Sequence, residues 1–207
     1  MFGDMAFNPL NWPSAHLVDV CMNDGDIKCG PFGTQLGKDE YVDEGVPVWG
    51  IPQVNVCFSR KTGDFITTEK AKKLKEYSLI SGDIAMSRKG NVGQCAIYPK
   101  GYPNGIIHSD VLRIRVSEKL CNPEFLMHQL HFSRAVKTEI DLVSNGAIMA
   151  GINVTKLKKI NIYIPPIKLQ HQFAIFVTQV DKSKLAIQKS LDKLEILQKS
   201  LMQQYFG

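Results

Sequence analysis

Apolar residues in the last fifth of the chain follow a repeat not seen elsewhere in it. Counting from Val177, they return at alternating steps of three and four, at Val180, Ile187, Leu191, Leu194, Leu201 and Tyr205, with Lys184 and Gln198 in the remaining seam positions. Pro165 and Pro166 close off what precedes, and after Ile167 neither proline nor glycine occurs before Gly207. The spacing predicts one long helix; over residues 170–206 it would run about 55 Å at about 1.5 Å per residue. Such a seam has to be covered, either by the helix folding back on its own domain or by a partner helix, and the length favours the partner. In a parallel in-register pair, Lys184 would face its own copy. Antiparallel packing sets Lys184 and Gln198 opposite apolar residues, with the lysine stem along the seam and its charge in water. The seam therefore predicts an antiparallel homodimer.

The rest of the chain shows short, mixed periodicities. Residues 1–13, with Asn8-Pro9 and Trp12-Pro13, read as a tether. Ser14 is placed to cap a short turn of helix through Val20. In 27–36 two glycines and a proline force a tight loop, where glycine also permits close backbone approach. Residues 53–56 alternate as a strand would, with Gln53 and Asn55 on one side and Val54 and Val56 on the other. Residues 65–79 predict a strand and then a lysine-rich helix from Thr68. Residues 82–98 predict a β-hairpin whose tip presents Arg88, Lys89 and Asn91, and 106–116 another strand. After Asn122-Pro123 an amphipathic helix carries Phe125, Leu126, Leu130, Ala135 and Ile140. Residues 144–147 break the chain, and 160–164 form a last strand. Together these predict a mixed α/β domain over 1–164, a twisted sheet with hairpins and helices, followed by the helix of 165–207.

Charge changes the picture. The net charge of +5 hides an asymmetry: residues 1–50 carry two basic against eight acidic side chains, and residues 51–164 seventeen against nine. Arg60-Lys61, the lysines of 70–75, Arg88-Lys89, Arg113/Arg115 and Lys156/Lys158/Lys159 supply the positive potential a polyanion needs, although such runs also serve as solvated faces. The five cysteines are scattered without zinc-ribbon spacing, which predicts reduced thiols packed in cores and strands. His128 and His131 have no third ligand near them in sequence. No apolar run is long enough for a membrane span and no leader pattern opens the chain, so a cytoplasmic location is expected.

Catalytic signatures are missing. There is no Walker-type phosphate loop, and Gly90-Asn91-Val92-Gly93 is explained by a hairpin turn as well as by a KH clamp. Asp19, Asp26 and Lys28 are the nearest approach to a nuclease site. Asn8-Pro9-Leu10 lacks the second proline and the aromatic residue of an adenine methyltransferase motif. No nucleophile–base constellation stands out, and no cofactor or metal is implied.

The order and spacing of Gly30-Pro31-Phe32-Gly33, Tyr41 with Gly45-Val46-Pro47-Val48, the 82–93 hairpin, Asn122-Pro123 with Phe125-Leu126, and Ile164-Pro165-Pro166-Ile167 before Gln172-Phe173 resemble the specificity subunits of type I restriction-modification systems. The resemblance implies a target-recognition domain over 1–164 and a conserved helix over 165–207 that forms an antiparallel coiled coil and docks methyltransferase subunits. A full subunit of that family carries two such halves, each reading one part of a split site in double-stranded DNA; this chain carries one. It also implies a non-catalytic role, with methylation, translocation and cleavage supplied by the methyltransferase and restriction/translocase subunits. On that reading Gln53, Asn55, Arg88 and Asn91 are candidates for base edges, where Arg suits guanine and Asn or Gln suits adenine. Arg60, Lys61, Lys89 and Lys156 are candidates for phosphates, and Thr34, Gln35 and Asn145 are loop candidates. The alternative is a stand-alone methyltransferase or nuclease with unrecognised motifs.

Overall fold

The computed structural model describes residues 10–144 and 151–207. Its frame is a four-stranded antiparallel sheet made of β2 (Ile27–Cys29), β7 (Ile84–Ser87), β8 (Cys95–Ile97) and β10 (Val111–Ile114), in the order β2-β10-β7-β8. A strand sends successive side chains to opposite faces, and both faces here are buried. Ile84, Met86, Leu112 and Ile114 join a core with Leu17, Phe125, Leu126 and Leu130. Ala85 and Val111 join a second core with Trp49, Phe58 and Tyr98. In that second core the Phe58 and Tyr98 rings meet edge to face at 5.0 Å, and the Trp49 and Tyr98 rings at 5.4 Å.

A five-stranded sheet covers the second face: β3 (Tyr41–Val42), β5 (Phe65–Ile66), β4 (Val46–Trp49), β9 (Gly105–Ile107) and β6 (Ser78–Leu79), in that spatial order, with β4 and β9 parallel. The first face is covered by α3 (Pro123–Phe132) and α4 (Arg134–Ser144). Asn122 caps α3 by accepting the Phe125 N–H at 3.1 Å. A two-stranded ribbon pairs β1 (Ser14–His16) with β11 (Asn161–Tyr163). The outer edge of β11 is met by side chains: Gln129 accepts from the Tyr163 N–H and donates to the Tyr163 carbonyl, both at 2.9 Å, and Glu139 accepts the Asn161 N–H at 2.7 Å.

Arg113 on β10 is 4% exposed and is satisfied entirely by backbone. Its guanidinium donates to the carbonyls of Gly25 (2.8 Å), Ser78 (2.8 Å), Glu76 (3.0 Å) and Asp26 (3.5 Å). It thus joins the lead-in to β2, the turn before β6 and the central sheet. Burial lowers its pKa below the ordinary arginine value, and it remains a cation. Beside it Arg115 grips the buried Asp83 with Nε and Nη2, each at 2.7 Å.

The hairpin of 82–98 and the lysine-rich helix α2 (Thr68–Lys73) appear as expected, Thr67 capping α2 by accepting the Lys70 N–H. Four segments differ. Residues 53–56 are not a strand: α1 (Ile51–Asn55) forms, because Pro52 suits a first helical turn and Gln53 accepts the Gly50 N–H at 3.2 Å. Ser14 pairs with Tyr163 in β1 instead of capping a helix, and a 3-10 turn follows at Leu17–Val20. The strand expected over 106–116 is two, β9 and β10, separated by a turn in which Val111 N–H reaches the His108 carbonyl at 2.9 Å. The helix after Asn122 is interrupted at Ser133, whose extended backbone separates α3 from α4. The start of the tether lies outside the described residues. Cysteines 21, 95 and 121 are packed thiols whose pKa burial pushes up to about 12.

The long helix, α6 (Ile167–Phe206), has 40 residues, about 60 Å at about 1.5 Å per residue. Gln170 is its one buried residue, and residues 181–207 are all exposed.

Replacing Arg113 by methionine strands several carbonyls. We expect a loss of about 3 kcal/mol, seen as a lower urea midpoint with an unchanged m value.

Candidate nucleic-acid interface

Strand direction decides which loops meet. The C-terminal ends of β2 and β7 and the N-terminal ends of β8 and β10 lie at one end of the central sheet, as the pairings Leu112–Cys29, Val111–Ser87 and Met86–Cys95 require. Loops 30–37, 88–94 and 108–110 therefore emerge together. Gly30 lets the first and third touch: a Cβ there would collide with the backbone carbonyls of His108 and Ile107. The hairpin tip is fastened to the third loop by Arg88 N–H to the Asp110 carbonyl (2.9 Å) and by a Lys89–Asp110 ion pair (2.9 Å). It is fastened to the segment before α5 (Val154–Leu157) by Ile152 N–H to the Arg88 carbonyl and Arg88 Nε to the Ile152 carbonyl, each at 3.2 Å. Gly90, with φ +65°, turns the tip.

The candidate residues separate by how much of each side chain is already engaged. Gln53 is withdrawn: it is 8% exposed, its oxygen held by Gly50 N–H and its amide donating to the Lys61 carbonyl at 3.4 Å, so it fixes the 51–61 segment and faces no groove. The side-chain oxygen of Gln35, Oε1, accepts from Phe32 N–H (3.3 Å) and the Tyr77 hydroxyl (3.0 Å), which staples its loop. The Arg88 guanidinium sits 5.5 Å over the Phe32 ring and is braced by Ile152. Lys89 is half engaged by Asp110. Thr34, Asn55, Arg60, Lys61, Asn91 and Lys156 are exposed. Asn91 lies at the hairpin tip and Lys156 on α5, whereas Asn55 ends α1, a separate element. Lys61 precedes Asp64, which lines an open groove with Pro31, Leu36, Tyr41, His108 and Ser109. Asn145 lies outside the described residues.

Three participants escaped the sequence reading. His108, Ser109 and Asp110 were absorbed into an apparent strand, although three successive polar residues inside an apolar run are a signal for a break. His128, by contrast, packs against Phe132 and Phe173 and pairs with Glu124 at 3.3 Å. No helix of the described residues is long and apolar enough to cross a membrane.

The family model for the type I restriction modification DNA specificity domain matches residues 9–197. The chain belongs to this family. A curated relative from Methanocaldococcus jannaschii, named as the inferred specificity subunit of the type I restriction enzyme MjaX, is 28% identical over 148 residues, covering 69% of this chain and 34% of the relative. Among solved structures, a chain from a type I R-M system studied for its assembly and conformational transition aligns with TM-score 0.67 at 19% identity, covering 94% of this chain and 44% of that one. The HsdS subunit from Thermoanaerobacter tengcongensis gives 0.62 at 18% identity, covering 88% and 40%, and the S subunit from M. genitalium gives 0.54 at 16%, covering 96% and 45%. These likenesses show the fold: a specificity domain with a long C-terminal helix. The chain spans about a third of the curated relative's length and less than half of each solved chain.

Gly30→Ala forces the first and third loops of this specificity domain apart. It is expected to cost about 1–3 kcal/mol, measurable by chemical unfolding.

Proposed function

We propose that the chain is the DNA-recognition part of a type I restriction-modification complex, reading one half of a split site in double-stranded DNA. The observation that carries this reading is the convergence of the three loops at one sheet end of a specificity-family domain. There, exposed Asn91 can reach a base edge, while Lys89 beside it and Lys156 on α5, with Arg60 and Lys61 on the segment after α1, carry charge suited to phosphates. Arg88, braced on Phe32 and Ile152, holds the tip in place and presents the rest of its guanidinium to the same surface.

Residues 1–164 act as the target-recognition domain and 165–207 as the coiled-coil helix. The seam supports a second copy as its cover: Ile187, Leu191, Leu194, Leu201 and Tyr205 are each 45–73% exposed, and Val177 and Val180 continue the line towards the domain. The pair is antiparallel, for the Lys184 reason given above, so two reading edges lie at opposite ends of the rod and the site is an inverted repeat with an unread spacer. The helix pair also docks the methyltransferase subunits, and a restriction/translocase subunit supplies cleavage. The chain itself is non-catalytic, needs no cofactor and works in the cytoplasm.

Selection of bound duplexes from a random library tests the reading: an inverted repeat is expected, and a continuous asymmetric site would overturn it. Lys61→Ala should weaken binding to all sequences and lower the salt slope by about one, whereas Asn91→Ala should relax a single position, costing about 1–3 kcal/mol of discrimination there. Leu191→Glu with Leu194→Glu should convert a dimer to a monomer by analytical ultracentrifugation without lowering the stability of the recognition domain.

A further inference from the structure

A helix of about 60 Å that leaves its domain after a few turns has its direction set by those turns. Residues 181–207 are fully outside, so the contacts that aim α6 are confined to its start. They centre on Gln170, which is 0% exposed. Its Nε2 donates to the Pro165 carbonyl at 2.7 Å and its Oε1 accepts the Asn122 N–H at 2.9 Å. One amide thus ties the end of the β11 segment, the first turn of α6 and the N-terminus of α3 together. Around it Asn122 Nδ2 meets His171 Nδ1 at 3.0 Å, and Phe173 packs on Phe125 (5.9 Å) and His128 (5.5 Å).

Both functional groups of the buried amide are used, and on two different elements. A buried polar pair that loses a partner costs more than its net contribution when made, so the joint has one favoured geometry where an apolar contact would allow sliding. That matters for reading. The hairpin tip packs beside Leu130 and His131, near the other end of α3 from Asn122, which is about 12 Å along the helix at about 1.5 Å per residue. A swing of about 15° at the joint would carry the tip about 3 Å, close to the rise of one base pair, about 3.4 Å.

We propose that Gln170 is a positioning residue: by fixing the angle between the reading loops and α6, it sets how strictly the protein discriminates the spacer between its two half-sites. The inference rests on the split-site reading above. Its substrate consequence is one of length and leaves base sequence untouched.

The test uses the full chain and duplexes carrying the selected site with the spacer altered by one or two base pairs, plus a duplex with a single half-site. Wild type should lose about tenfold or more in affinity per altered base pair, the scale of a mismatch. Gln170→Ala, and Gln170→Met, which keeps the volume while losing both hydrogen bonds, should accept the altered spacers within about threefold. Both should bind the single half-site as wild type does. Hydrogen exchange should show the Asn122 amide deprotected in the variants while β7 and β10 stay protected. Variants that keep wild-type spacer discrimination would overturn this inference alone, as would variants that lose half-site binding while folded, since Gln170 would then support the reading loops themselves. A wild-type chain indifferent to the spacer would overturn the split-site reading and this inference with it.

Discussion

A cation in the middle of a protein is tolerated only where fixed dipoles replace the water it gave up. Arg113 meets that condition with four backbone carbonyls drawn from two distant segments, and much of the architecture follows. The central sheet is covered on both faces, so its strands could slide in register if only apolar contacts held them. A guanidinium fork that must find the Gly25, Asp26, Glu76 and Ser78 carbonyls permits one register. Arg115 and Asp83 repeat the constraint one pleat further along.

The fixed register is what makes a shared edge of three loops. Each loop is irregular and carries polar side chains, yet none is left to find its own place. Gly30 admits the His108 backbone, Arg88 closes on Ile152 and Phe32, and Lys89 leans on Asp110. The engaged groups hold the edge, while others, Asn91 among them, stay exposed. Partition of this kind lets rigid scaffold and variable contact coexist in one short stretch of chain.

Legibility in the sequence followed the range of the interactions. The long helix was plain because a heptad repeats over many turns, and the 82–98 hairpin because glycines bracket two apolar runs. Gln53 was misjudged because four alternating residues fit a strand, while the decisive contacts, Gly50 N–H and the Lys61 carbonyl, depend on a turn begun by Pro52. The break at 108–110 was missed although three polar residues mark it, because its cause is long-range: the chain passes there from one sheet to the other. Gln170 was invisible because its decisive partner, the Asn122 N–H, is set by how α3 and α6 meet. Family resemblance located the domain and the rod, and side-chain placement separated braced residues from free ones.

The ribbon at the domain's margin carries a further implication. Strand β11 turns its outer backbone groups towards Gln129 and Glu139, which occupy the hydrogen-bonding positions a neighbouring strand would take. An open strand edge is a template for uncontrolled association. Here the outer groups of β11 are already met by side chains from α3 and α4, so this margin of the domain is closed to the strand-by-strand addition that grows without limit.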